Sequence, residues 1–130
     1  MNRGTLLAIG AGFAVLAAAP AQAHHTFAMF DLTKTVTLSG TIKTLEWTNP
    51  HIWIQMVVPG PDGTAKEWSI EGGAPNALIR KGWKYGALKA GQKVTLTIHP
   101  LKTGQPGGSL LTVTLDDGRS FEDAVSDGKV

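Results

Sequence analysis

Residues 35–47 read TVTLSGTIKTLEW, an alternation of apolar and polar residues interrupted midway by Gly40. Val36, Leu38 and Ile42 carry the apolar phase, and this period of two specifies a strand. A lone glycine inside such a run marks a bulge or a sharp coil. A long strand that bends in its middle can serve both sides of a small closed sheet. That restricts the fold more than any other feature of the chain.

The Thr48-Asn49-Pro50 tripeptide breaks the pattern, and HIWIQMVV over 51–58 resumes it as a second strand. A Pro- and Gly-rich turn at 59–63 leads to a third strand over 65–70. Pro75 then stands where the first residue of a helix belongs, and Gly82 where one should stop, which predicts a short helix over 76–81. A fourth strand is expected over 93–99 and a fifth over 110–115, separated by a loop at 103–108. The tail, 122–130, is polar and expected to be flexible. Three strands, a short helix and two strands make an all-β domain with one short helix, in the element order of an OB-fold-like five-stranded barrel. A small β-sandwich is the alternative architecture, although it usually needs about seven strands.

Residues 1–23 read as a cleavable signal peptide. Arg3 supplies the basic start, an apolar stretch runs over 6–19, and Ala21-Gln22-Ala23 supplies the small-x-small cleavage pattern. The stretch falls short of the ~20 apolar residues that cross a bilayer, so no membrane anchor is expected after cleavage. Cutting after Ala23 leaves one β-rich domain over 24–130, with 24–33 as an N-terminal arm and a periplasmic or secreted location. Arg3 leaves with the signal, so 11 basic residues face 10 acidic ones in the remainder. That balance, with no basic stripe, argues against a nucleic-acid partner. The chain has no cysteine, which removes disulfides, thiolate metal sites and cysteine nucleophiles together. No nucleophile elbow, phosphate loop or H-E-x-x-H occurs, so the sequence offers no catalytic residue.

Histidine is the informative residue type: His24, His25, His51 and His99 all follow the signal. After cleavage His24 would carry the free α-amine, whose pKa near 8 lets a metal displace its proton at neutral pH. Amine and imidazole together chelate one ion, and His51 or His99 would complete a nitrogen-rich site suited to Cu(II). His25, in position two, offers an alternative chelate, and Met29 and Met56 are candidate soft ligands. Each histidine also has a structural reading, as a frayed end, a turn residue or a strand-end hydrogen bonder. The tryptophans form a second group. Trp47 and Trp53 flank the T-N-P-H turn and, with Asn49, are candidates for a partner surface; core filling is the competing role for these rings.

The strings His24-His25-x-Phe27-Ala28-Met29-Phe30-Asp31 and Glu46-Trp47-Thr48-Asn49-Pro50-His51-x-Trp53, with His99-Pro100-Leu101-Lys102, resemble a family of small secreted bacterial proteins of unknown function. The resemblance implies export and a compact β-rich domain, and no activity. A weaker similarity, through His24 alone, is to periplasmic copper carriers and copper oxygenases whose chains begin with histidine. The leading expectation is an exported, non-enzymatic binding protein that holds copper through these histidines. A metal-free module binding a periplasmic protein or a glycan is the alternative, and a small copper redox enzyme a third reading.

Overall fold

A computed structural model describes residues 27–123. The signal region, His24 and His25 lie outside the described residues, as does the tail beyond 123. The elements run β1 (Val36–Glu46), β2 (Trp53–Pro59), β3 (Ala65–Glu71), α1 (Pro75–Arg80), β4 (Lys93–Pro100), β5 (Gly107–Leu115) and β6 (Ser120–Glu122). The sheet order is β3-β2-β1-β4-β5-β6, and an additional parallel pairing of β3 with β5 closes the first five strands into a barrel. This is the OB-fold-like barrel that the element order implied, with β6 added along β5; the sandwich alternative falls away.

Strand β1 divides its hydrogen bonds as its sequence suggested. Val36 to Thr41 pair with β4, and Thr41 to Glu46 pair with β2. Gly40 stands at the changeover, where a Cβ would overlap the carbonyl oxygen of Val57 and crowd the Met56 methyl at 3.0 Å. Only glycine lets the two backbones approach this closely. One step further on, the β1–β2 register slips between Ile42 and Thr44, and the bulged residue, Lys43, reaches out to Glu67 at 2.9 Å. Bend and bulge together turn the strand around the barrel.

The period-two pattern fills the interior. Leu38, Ile42, Ile54, Met56, Ile70, Leu96, Ile98 and Val113 are buried in one cluster, each contributing about 1.5–3 kcal/mol by leaving water. Helix α1 closes one end. Pro75 occupies its first turn, Leu78 faces the core, and the Leu78 carbonyl accepts from Trp83 N–H as the chain leaves. Trp83, 1% exposed, plugs the barrel with its ring 5.3 Å from that of Phe121, and its Nε1 donates to the Glu122 carbonyl at 2.8 Å.

Two differences from the expected boundaries have physical reasons. Gly107 and Gly108, expected in a loop, begin β5, because the parallel seam brings them against Ser69 and Ile70. A side chain at 107 would press on the Ser69 carbonyl oxygen at 3.0 Å, so glycine here marks close approach and not a turn. Glu122 belongs to β6, and Asp123, placed in the flexible tail by its polarity, is buried.

Gly40→Ala should therefore lower stability by about 2–3 kcal/mol, as overpacking against unyielding backbone does. Thr41→Ala, one residue on, should cost under about 1 kcal/mol. Urea unfolding of the two variants checks this.

Candidate functional site

The β2–β3 ladder continues past its last strand residues. Ile52 N–H donates to Gly73 O at 3.0 Å, and Gly72 N–H returns a bond to Ile52 O at 2.9 Å. This register sets His51 beside Gly72, and its Nδ1 lies 3.0 Å from the Gly72 carbonyl oxygen. A carbonyl can only accept, so Nδ1 carries the hydrogen. Nε2 then points the other way, to Glu71 Oε1 at 3.4 Å.

Glu71 is 5% exposed although it sits on the outward phase of β3, after buried Ile70. The N-terminal arm covers it. Phe30 bridges to Leu101, Asp31 N–H donates to Pro100 O at 2.8 Å, and Lys102 N–H donates to Met29 O at 2.9 Å. From the other side Asp123, 1% exposed, accepts from Gly73 N–H at 2.8 Å. The result is a cleft of about 10 Å³ lined by Phe27, Phe30, His51, Glu71, Gly72, Ser109 and Asp123. That is room for about one water-sized particle. Burial raises the Glu71 carboxyl above its ordinary value; His51 pulls it back and Asp123 pushes it further up.

His99 has a different post. Its Nδ1 lies 2.7 Å from the Lys34 carbonyl oxygen, so the ring donates there and ties down the far end of the arm. It does not line the cleft that holds His51. Met56 is in the core, and Met29 is exposed. Among the described residues, no group of three or more His, Asp or Glu side chains stands ready to hold a metal ion.

The aromatic candidates separate as well. Trp47 packs partly against the core. Its ring meets Tyr85 edge-on, with centroids 6.2 Å apart. Tyr85 is 82% exposed, and this ring contact is its sole ring contact, hydrogen bond or ion pair among the described residues. Asn49 is exposed in the turn beside Trp47, and its peptide bond to Pro50 is cis. Trp53 follows buried Ile52 and precedes buried Ile54, so it faces outward, paired with Glu46 and Glu71 on the neighbouring strands.

The sequence profile of a family of unknown function (DUF6152) matches residues 13–110, most of the chain. The chain belongs to this family. Comparison with curated proteins gives no match, and comparison with solved structures gives none. The DUF6152 match thus brings no activity with it, and geometry has to speak for the site. In this DUF6152 chain the sequence reading missed Asp123 and Tyr85, and it weighed Glu71 only as one of three carboxylates near strands, with Glu46 and Glu67, without a partner. Glu71 had only its neighbour Gly72-Gly73 as a signal of tight packing. Tyr85, the one tyrosine, stands between Gly82 and Gly86 in a loop, where an aromatic residue has no core to fill.

The raised Glu71 carboxyl has a consequence for stability. Between its ordinary value of 4.5 and its higher folded value, the folded chain binds more protons than the unfolded one. Its contribution is therefore most favourable below 4.5 and is lost as pH rises through the folded value. Glu71→Gln should melt above the parent at pH 8, and the difference should shrink toward pH 4. A melting series across that range checks the sign.

Proposed function

We propose that this domain is an exported, non-catalytic binding module that docks a protein partner through the ledge formed by Trp47, Asn49 and Tyr85. The observation that carries the reading is Tyr85, an 82% exposed ring braced edge-on against a half-buried tryptophan. A large aromatic side chain left in water gains nothing for the fold. A braced one loses little entropy when a partner covers it, which is why Tyr and Trp dominate binding hot spots. The ledge adjoins the turn between the first two strands, one of the regions that OB-folds use for ligands; this is support by analogy of fold. A protruding ring fits a partner's pocket better than it cradles a sugar.

Export rests on the three-part pattern of residues 1–23. It places the partner in the periplasm or outside the cell. Among the described residues, no helix is long and apolar enough to cross a membrane.

The test compares capture from an envelope extract by the chain beginning at His24, by Tyr85→Ala, and by Lys93→Ala as a surface control. One protein should be held by the parent and the control and lost at least about tenfold with Tyr85→Ala, the scale of a hot-spot aromatic. Melting should stay within about 2 °C of the parent, since the residue is exposed. Equal capture by all three chains would overturn the ledge. Release by soluble oligosaccharide in place of protein competition would assign the surface to a glycan.

A further inference from the structure

We infer that the protein docking on the ledge presents an acidic surface to it, met by Arg80, Lys81, Lys84 and Lys89, the basic residues that flank Tyr85 in the connection from α1 to β4. This rests on the reading of the ledge as a protein-binding surface.

Charge is separated along the chain in a way that the overall balance conceals. Residues 72–115 contain no aspartate or glutamate, yet they carry six lysines and arginines. Four of the six fall within 80–89, and all four are exposed. The other two have different settings. Lys93 shares a surface hollow with Asp116 and Asp117, and the Lys102 backbone is bonded to the arm at Met29.

The four cations also lack counter-charges. Lys34, Lys43 and Arg119 each pair with a carboxylate, at 3.3, 2.9 and 2.8 Å. Arg80, Lys81, Lys84 and Lys89 make no ion pair and no side-chain hydrogen bond among the described residues. A cation at Arg80 or Lys81 suits the carbonyl end of α1. That helix has only six residues, and Lys84 and Lys89 lie beyond it. Like charges gathered in one connection repel one another, and an opposite charge brought by a partner relieves this.

The connection runs beside β1, with Tyr85 against Trp47 at one end and the backbones of Gly91 and Gln92 bonded to Ile42 at the other. The Lys84 carbonyl accepts from Ala87 N–H at 2.9 Å, closing a turn with Tyr85 and Gly86 at its tip. Gly86 takes the positive φ, 79°, that the third position of such a turn demands. Lys84 therefore stands at the foot of the turn that lifts the ring. Glu46, exposed beside Trp47, is the acidic neighbour of the ledge and leaves its charge positive on balance. In such an arrangement the ring anchors the partner and the charges steer its approach. An anionic membrane is the rival occupant. Within 72–115 only Ile79 joins Tyr85 as an exposed large hydrophobic residue, and a lipid interface takes a continuous apolar face besides basic residues.

The test measures binding of the untagged chain beginning at His24 to poly-L-glutamate and to vesicles of phosphatidylcholine or phosphatidylglycerol. Poly-L-glutamate should bind at low salt and be released at about 1 M NaCl, where the screening length is about 3 Å. Lys81→Glu combined with Lys84→Glu should weaken it at least about tenfold. Lys66→Glu combined with Lys102→Glu, the same change of net charge elsewhere, should stay within about threefold. All four side chains are exposed, and melting of both double variants reports the fold separately. The envelope protein lost with Tyr85→Ala should also be lost with the first double variant. Its retention there would overturn the acidic partner and leave the ledge standing, whereas indifference to Tyr85→Ala strikes the ledge itself. The acidic partner is equally overturned if the parent does not bind poly-L-glutamate, if both double variants weaken it alike, or if phosphatidylglycerol vesicles bind and poly-L-glutamate does not.

Discussion

The meeting of the Gly40 backbone with the Val57 carbonyl is the constraint on which the rest of the barrel hangs. Strand β1 gives its first half to β4 and its second half to β2, and it can do both only by bending where no side chain intrudes. Without the bend, β2 and β4 would lie in one open sheet, with β3 and β5 too far apart to pair. The parallel seam between Ser69–Glu71 and Gly107–Ser109 is therefore a downstream result of a glycine far away in sequence. The cleft inherits that dependence, since Glu71 and Ser109 face each other across the seam.

Much of this was legible in the residues, for reasons that can be named. Alternation reports which side of a strand faces the core, and it identified β1 to β4 because their neighbours in sequence carry the information. Pro75 and Gly82 fix backbone geometry locally, so the helix between them was visible too. The candidate site was not visible in the same way. Glu71 is buried by an arm some forty residues before it and by Asp123 about fifty residues after it; nothing in its own strand announces this. A carboxylate on the outward phase of a strand reads as solvent-facing until its cover is known. His51 was singled out by type alone, and its orientation came from a carbonyl in another strand. Gly107 and Gly108 misled because composition cannot distinguish a glycine that turns a chain from one that lets two chains touch.

The burial of Glu71 in the cleft works against the stability of the domain at neutral pH. A buried carboxyl whose ionisation is opposed by burial costs folding energy at neutral pH, and the His51 imidazole beside it offsets part of that cost. A glutamine of the same shape would sit there at lower cost. The aromatic ledge makes the parallel case on the surface, since Tyr85 contributes to no core.

The bonds from the last strand reach further than the recognisable family does. The family match ends at residue 110, inside β5, yet the Glu122 carbonyl accepts from the buried Trp83 indole and Asp123 closes the cleft. A chain trimmed to the matched boundary would lose half of β5, leave that indole N–H without its acceptor at a cost of about 1–3 kcal/mol, and unroof the plug of the barrel. The unit that folds is longer than the unit that sequence comparison sees, and it reaches at least to Asp123.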